Sequence, residues 1–209
     1  MRLLRQSGRV AGSAAAAVGY FALLGVGFML VEIEFFHVFA LVLGNPAVTL
    51  AVVLAGMLVA SGLGSLCGNK LAAASRPVSG AAFLGLCLLL FGFGVGKHAI
   101  LELLIPLSLA GRVFGTLVVI APVAFALGVP MSTGMSLLKS RPDLMLWGWA
   151  LNGVFSVLSS VAAIFLAIHF GIERTFLIGL LCYVVAAVLF LVVRTRPPQA
   201  LAAGRSTAG

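Results

Sequence analysis

Glu32, Glu34 and His37 stand in a stretch that is otherwise apolar from Val18 to Leu43. A charged side chain near the centre of a membrane span costs about 2.5–3.5 kcal/mol on insertion scales unless it is paired or reached by water, so such carboxylates are functional candidates by default. Helix spacing separates the three. Two residues apart, Glu32 and Glu34 point roughly 200° apart around a helix axis, while Glu34 and His37, three apart, share a face. Glu32 shares its face with Gly25 and Phe36. One reading is a proton or cation site in which Glu32 binds or relays charge with Asn152 opposite, and Glu34 pairs with His37. The alternative is a wet segment: the stretch is longer than one straight crossing needs, so tilt or a break can place Glu34 and His37 among headgroups.

Asn152 belongs to a second polar group, with Ser156 and Ser160 four residues apart in an apolar run, a spacing that lets side chains hydrogen-bond across to a neighbouring helix. Pro122 and Pro130, with Gly128 between them, interrupt a third run. Broken helices line cavities in transporters because their freed backbone groups coordinate substrate. A helix that is kinked for packing alone is the other reading, since membrane helices tolerate proline when neighbours satisfy the backbone.

Other chemistries find no footing. Gly92-Phe93-Gly94-Val95-Gly96-Lys97 imitates a phosphate loop, but Phe91 stands where the pattern needs glycine, His98 where it needs a hydroxyl, and no strand precedes it. Cys67, Cys87 and Cys182 are far apart, each in or beside an apolar run, which indicates neither a zinc site nor a disulfide framework. No nucleophile elbow, dinucleotide fingerprint or metal-ligand spacing is present, so no catalytic residue, metal or cofactor is expected. The formal charge of +8 does not indicate nucleic acid, because the basic residues sit between apolar runs and not on a water-exposed face.

Positioning these residues is the task of a membrane bundle. Of 209 residues, 62% are apolar and 9% charged, with a mean hydropathy of +1.24, against roughly a quarter charged in soluble domains. About 20 apolar residues cross the hydrocarbon core, and six segments qualify: 18–43, 47–66, 79–96, 113–138, 144–168 and 175–193. The expected class is therefore all-α, a polytopic six-span bundle at residues 18–193, between a basic N-terminal segment (1–17) and a disordered tail (194–209). Arg2, Arg5 and Arg9 resemble the start of a signal peptide, but the following apolar stretch far exceeds the ~7–15 residues of such a leader. Gly56, Ala60, Gly64 and Gly68 give the second segment a bare face suited to close helix approach.

Ala99 to Ala110 holds Glu102 and Pro106 and is too short to span. With six spans and both termini cytoplasmic, ten cations lie inside (Arg2, Arg5, Arg9, Lys70, Arg76, Lys139, Arg141, Arg194, Arg196, Arg205) and three outside (Lys97, Arg112, Arg174). A seventh span would make the split seven to six, so the positive-inside bias selects six. Ala99 to Ala110 is then expected as a short interfacial or re-entrant helix between spans 3 and 4.

Gly25-Val26-Gly27-Phe28-Met29-Leu30-Val31-Glu32-Ile33, Gly44-Asn45-Pro46, Ser61-Gly62-Leu63-Gly64-Ser65 and Trp147-Gly148-Trp149-Ala150-Leu151-Asn152-Gly153 together resemble the C-terminal membrane block of bacterial spermidine synthase-like membrane proteins, over about Tyr20 to Phe190. The resemblance implies a block similar in style to half of a major-facilitator transporter, in a bacterial inner membrane, normally joined to a Rossmann-like aminopropyltransferase domain that is not expected in this chain. It also implies that Glu32 and Asn152 fall on the family's intramembrane glutamate and asparagine. Glu34 and His37 depart from the pattern, and Val129-Pro130-Met131-Ser132-Thr133-Gly134 replaces a more aromatic turn.

Three functions follow as expectations. The first is a non-catalytic membrane module that handles a polyamine or related small cation with a soluble aminopropyltransferase-like partner. The second is a homodimeric transporter coupled to protons or cations. The third is a membrane anchor subunit of an aminopropyltransferase.

Overall fold

A computed structural model of the chain describes residues 2–195, and all of the secondary structure there is helical. The elements are α1 (Arg2–Leu43), α2 (Pro46–Ser65), α3 (Gly68–Ala73), α4 (Arg76–Leu104), α5 (Leu109–Leu137), α6 (Pro142–Phe170) and α7 (Ile172–Thr195). Six stretches are long and apolar enough to cross a membrane, α2 and α3 together counting as one. The expected tail from Arg196 onward lies outside the described residues.

Local chemistry sets the boundaries. α1 stops at Gly44, whose φ of +68° is a left-handed conformation that suits glycine. Asn45 then caps α2, its side-chain oxygen accepting from the backbone N–H of Ala47 at 2.9 Å and of Val48 at 3.2 Å, while Pro46 occupies the first turn, where no N–H is needed. Gly171, at φ +85°, ends α6 and leads directly into α7. Pro77 and Pro142 likewise open α4 and α6.

Ala99 to Ala110, expected as a short interfacial or re-entrant helix, divides between two elements. Ala99 to Leu104 are the last turns of α4, residues 105–108 make the connection, and Leu109 opens α5. Nothing at Gly96-Lys97-His98 breaks the α4 ladder, whereas Pro106 lacks the N–H to continue it, and Ser108 caps the next helix by accepting from Gly111 N–H.

α1 is the centre of the bundle and touches α2, α4, α5, α6 and α7. Paired contacts give the helix directions. Tyr20 meets Phe83 and Phe35 meets Phe93, so α1 and α4 run parallel. Phe21 packs at Gly148 and Gly25 at Asn152 and Ser156, so α6 is parallel too, while Gly19 lies by Leu189 and Gly27 by Tyr183, making α7 antiparallel. The bare face of α2 packs on α5: Gly56 faces Leu117 and Gly64 the backbone of Phe125, Gly68 at the start of α3 continues the contact against Ser132, and Gly128 of α5 returns the approach against the backbone of Ser61. Any side chain at Gly64 or Gly128 would occupy space already held by main chain, so glycine there fixes the interhelical distance.

α5 is one continuous helix through Pro122, Gly128 and Pro130. Each proline lacks the N–H that would bond the carbonyl four residues back. Near Pro130, Ser132 and Thr133 donate to the carbonyl of Val129, and the Tyr20 hydroxyl donates to that of Pro130 at 2.6 Å, which ties α5 to α1. Gly128 serves contact with α2, not flexibility.

Candidate functional site in the helix bundle

The charged centre of the bundle forms where α1, α4 and the start of α7 converge. Glu34 is 1% exposed, and its Oε1 lies 3.0 Å from Lys97 Nζ. The same ammonium reaches Oε1 of Glu173, in the first turn of α7, at 3.1 Å. His98 Nε2 stands 4.0 Å from that oxygen. Side-chain exposure rises along the chain of contacts, from 1% at Glu34 through 11% at Lys97 to 71% at Glu173, so the network runs from the packed interior to the rim.

The fold dictates this convergence. The aromatic rings of Phe35, Phe39, Phe93 and Phe176 pack together, with Phe35 and Phe93 centroids 4.5 Å apart and Phe93 and Phe176 5.9 Å apart. They lock α1, α4 and α7 one residue from Glu34, four from Lys97 and three from Glu173. With that register fixed, burying Glu34 without a cation would leave a charge in low dielectric, and Lys97 is the cation the register delivers.

Satisfaction is incomplete. Glu34 Oε2 is fully buried and has no hydrogen-bond partner among the described residues, and Lys97 has three donors, of which the two contacts above use two. Beside the ammonium a cleft of about 180 Å³ opens between α4 and α7, walled by Gly94, Val95, Phe176 and Leu177 and floored by Lys97 and Glu173. The cluster thus holds one ammonium between two carboxylates beside a mostly apolar cleft.

The remaining sequence candidates separate into three places. His37 is exposed and its Nδ1 contacts the carbonyl of Ile33 on its own helix at 2.7 Å; the expected Glu34–His37 pair is replaced by Glu34–Lys97, because a lysine from α4 reaches the buried oxygen while the imidazole turns outward. Asn152 and Ser156 meet α1 near its middle: Asn152 Nδ2 donates to the carbonyl of Phe21 at 3.1 Å, and Ser156 Oγ donates to the carbonyl of Asn152 at 2.8 Å, both beside Gly25. Ser160 turns back to its own Val157 carbonyl, and Ser159, 4% exposed, takes its place in the buried stripe.

Glu32 is half-buried and makes no hydrogen bond or ion pair among the described residues. Asn152 lies beside Gly25, seven residues or about 10 Å along α1 from Glu32, and its amide donates to the Phe21 carbonyl. By helical register Glu32 stands seven residues beyond Gly25 on the face turned to α6, at the level of Ser159 to Ala163.

Lys97 and Glu173 are the participants that sequence reasoning left out. The signal was present: a buried carboxylate needs a counter-charge, and Lys97, Arg112 and Arg174 are the cations allotted to the end of the bundle where α1 finishes. Arg112 has another task, donating to the carbonyls of Val42 at 3.1 Å and Leu107 at 2.9 Å and so closing the end of α1 against α5. Among the described residues no group of three or more His, Cys, Asp and Glu is placed to hold a metal ion. Comparison of the chain with family models, with curated proteins and with solved structures finds no match.

Proposed function

We propose that this chain is a non-catalytic membrane module that receives a small organic cation, of the polyamine class, at the carboxylates of α1. The observation that carries this reading is the Glu34–Lys97–Glu173 network: a primary ammonium held by a fully buried carboxylate at 3.0 Å and a rim carboxylate at 3.1 Å, with the second oxygen of Glu34 still unpartnered. A buried carboxylate oxygen with no donor has a strong requirement for one, since an unsatisfied buried group retains its whole desolvation cost. A polyamine ends in the same primary ammonium that Lys97 presents.

Two further features support the reading. The motif around Glu32 and the Trp147 to Gly153 segment resemble the membrane block of spermidine synthase-like proteins, which points to polyamine chemistry in the same cellular system. Glu32 is a second carboxylate of α1, half-buried and without a partner among the described residues, on the face turned to α6. With both termini cytoplasmic in a bacterial inner membrane, Glu173 and the mouth of the cleft face outward. Delivery of the cation to or from a soluble aminopropyltransferase-like partner is the role proposed for the module.

The test is equilibrium binding of labelled spermidine to the full chain in lipid nanodiscs. Saturable binding that weakens at least tenfold in Glu34→Gln is expected. Absence of saturable binding, or equal affinity in wild type and variant, overturns the proposal.

A further inference from the structure

We infer that Lys97 is a tethered occupant of a primary-ammonium site, and that a diffusible alkylammonium enters only by displacing it. The inference rests on the cation-handling reading in that the same carboxylates bind the ligand, and it assigns what fills the site at rest. Nζ of Lys97 is the shared contact of two carboxylates from different helices, Glu34 on α1 and Glu173 on α7. Lys97 lines the cleft between α4 and α7, whose other lining residues apart from Glu173 are apolar. A charged head with N–H donors followed by an apolar chain is therefore the ligand shape this region already accommodates.

The buried end of the site is incomplete even when Lys97 is seated, because Glu34 Oε2 has no partner. An ammonium free of the α4 backbone can settle lower and contact both oxygens of Glu34, which the tethered one does not do. The rim end is accessible, since Glu173 is 71% exposed and can release Lys97 to water. Displaced, the long lysine side chain can keep its head at the rim while its stem stays on apolar surface. The ligand class that follows is a primary alkylammonium; a quaternary ammonium lacks the N–H donors that both carboxylates use.

The tether sets the competition. A group on a short linker acts at an effective concentration of order mM, so a soluble monoamine must exceed that level to compete in the wild type. Lys97→Ala removes Cγ, Cδ, Cε and Nζ, whose free equivalent is n-propylammonium, and removes the competitor as well.

The experiment uses the full chain in nanodiscs as wild type, Lys97→Ala and Glu34→Gln/Lys97→Ala, titrated with n-propylammonium chloride, propan-1-ol and tetramethylammonium chloride, with thermal unfolding as the readout. n-Propylammonium is expected to stabilise Lys97→Ala and to bind it at least tenfold more tightly than wild type; at ten times its Kd the folded-to-unfolded ratio rises about elevenfold. Propan-1-ol and tetramethylammonium should have no such effect, and the double variant should not respond. If Lys97→Ala alone is recovered misfolded, n-propylammonium present throughout purification should restore monodisperse protein while propan-1-ol does not. Equal effects of amine and alcohol, or an equal response of the double variant, overturn the inference. Spermidine binding by the wild type is measured separately, so rescue without spermidine binding would leave the ammonium site standing and remove the polyamine reading, and the converse would do the opposite.

Discussion

Removing Lys97 from the Glu34–Lys97 pair should be more damaging than removing both charges, and more damaging than removing Glu34 alone. Lys97→Met keeps the stem and deletes the charge, leaving Glu34, 1% exposed, as an uncompensated buried carboxylate. Breaking a buried pair in this way costs about 3–5 kcal/mol. Glu34→Gln is milder: Lys97 keeps Glu173 at 3.1 Å and can move toward the rim, so the loss is about 1.5–3 kcal/mol, the worth of one hydrogen bond to a charged group. In Glu34→Gln/Lys97→Met no buried charge remains, and the cost should fall to about 1–3 kcal/mol against about 4.5–8 kcal/mol for independent sites, a coupling of about 3.5–5 kcal/mol. Unfolding by titration with sodium dodecyl sulfate in mixed micelles, followed by circular dichroism, measures all four proteins. A double variant whose loss equals the sum of the singles, or Glu34→Gln costing more than Lys97→Met, would refute the assigned pairing and its burial order.

Further expectations follow from other parts of the bundle. Gly128→Val sets a branched side chain against the main chain of Ser61 and should destabilise by about 1–3 kcal/mol or more by overpacking. Gly62→Ala is the matched control on α2, since a Cβ there meets nothing within 4 Å, and it should leave stability within about 0.5 kcal/mol. Asn152→Ala loses the bond to Phe21 at 3.1 Å and should cost about 0.6–1.7 kcal/mol in the same unfolding assay. Single cysteines at Ser140 and Gly171, in a chain with Cys67, Cys87 and Cys182 replaced, should label from opposite sides of the membrane; labelling from one side for both contradicts the six-span topology.

The class and number of the membrane helices were legible because they rest on length and composition: six apolar runs of crossing length need no knowledge of their neighbours. Asn45-Pro46 was legible as a boundary for the same reason, since a cap and a first-turn proline act locally. The small-residue face of Gly56, Ala60, Gly64 and Gly68 announced a close approach but not its partner, which only the packing of α5 supplies. The bounds of Ala99 to Ala110 were hard to read because charge at Lys97 looks like a helix end in sequence, whereas in the bundle that charge is paired with Glu34 of α1 and Glu173 of α7 and α4 runs on to Leu104. The same residue explains the missed pairing of Glu34. Its local candidate, His37, is three residues away and always within reach, while Lys97 is 63 residues distant and becomes its neighbour only through tertiary register. Pro122 and Pro130 carry the same lesson in reverse. Their local effect is to remove an N–H from the ladder, yet α5 runs through both, because packing against neighbouring helices holds a membrane helix together where the sequence shows only the missing donor.

Cation recognition at α1 is tested most directly by equilibrium dialysis of labelled spermidine against the full chain in nanodiscs, with Glu32→Gln and Glu34→Gln alongside. Saturable binding by the wild type, displaced by putrescine but not by tetramethylammonium and weakened at least tenfold in Glu34→Gln, is the expected result. Binding that is absent from the wild type, or that survives Glu34→Gln unchanged, contradicts it.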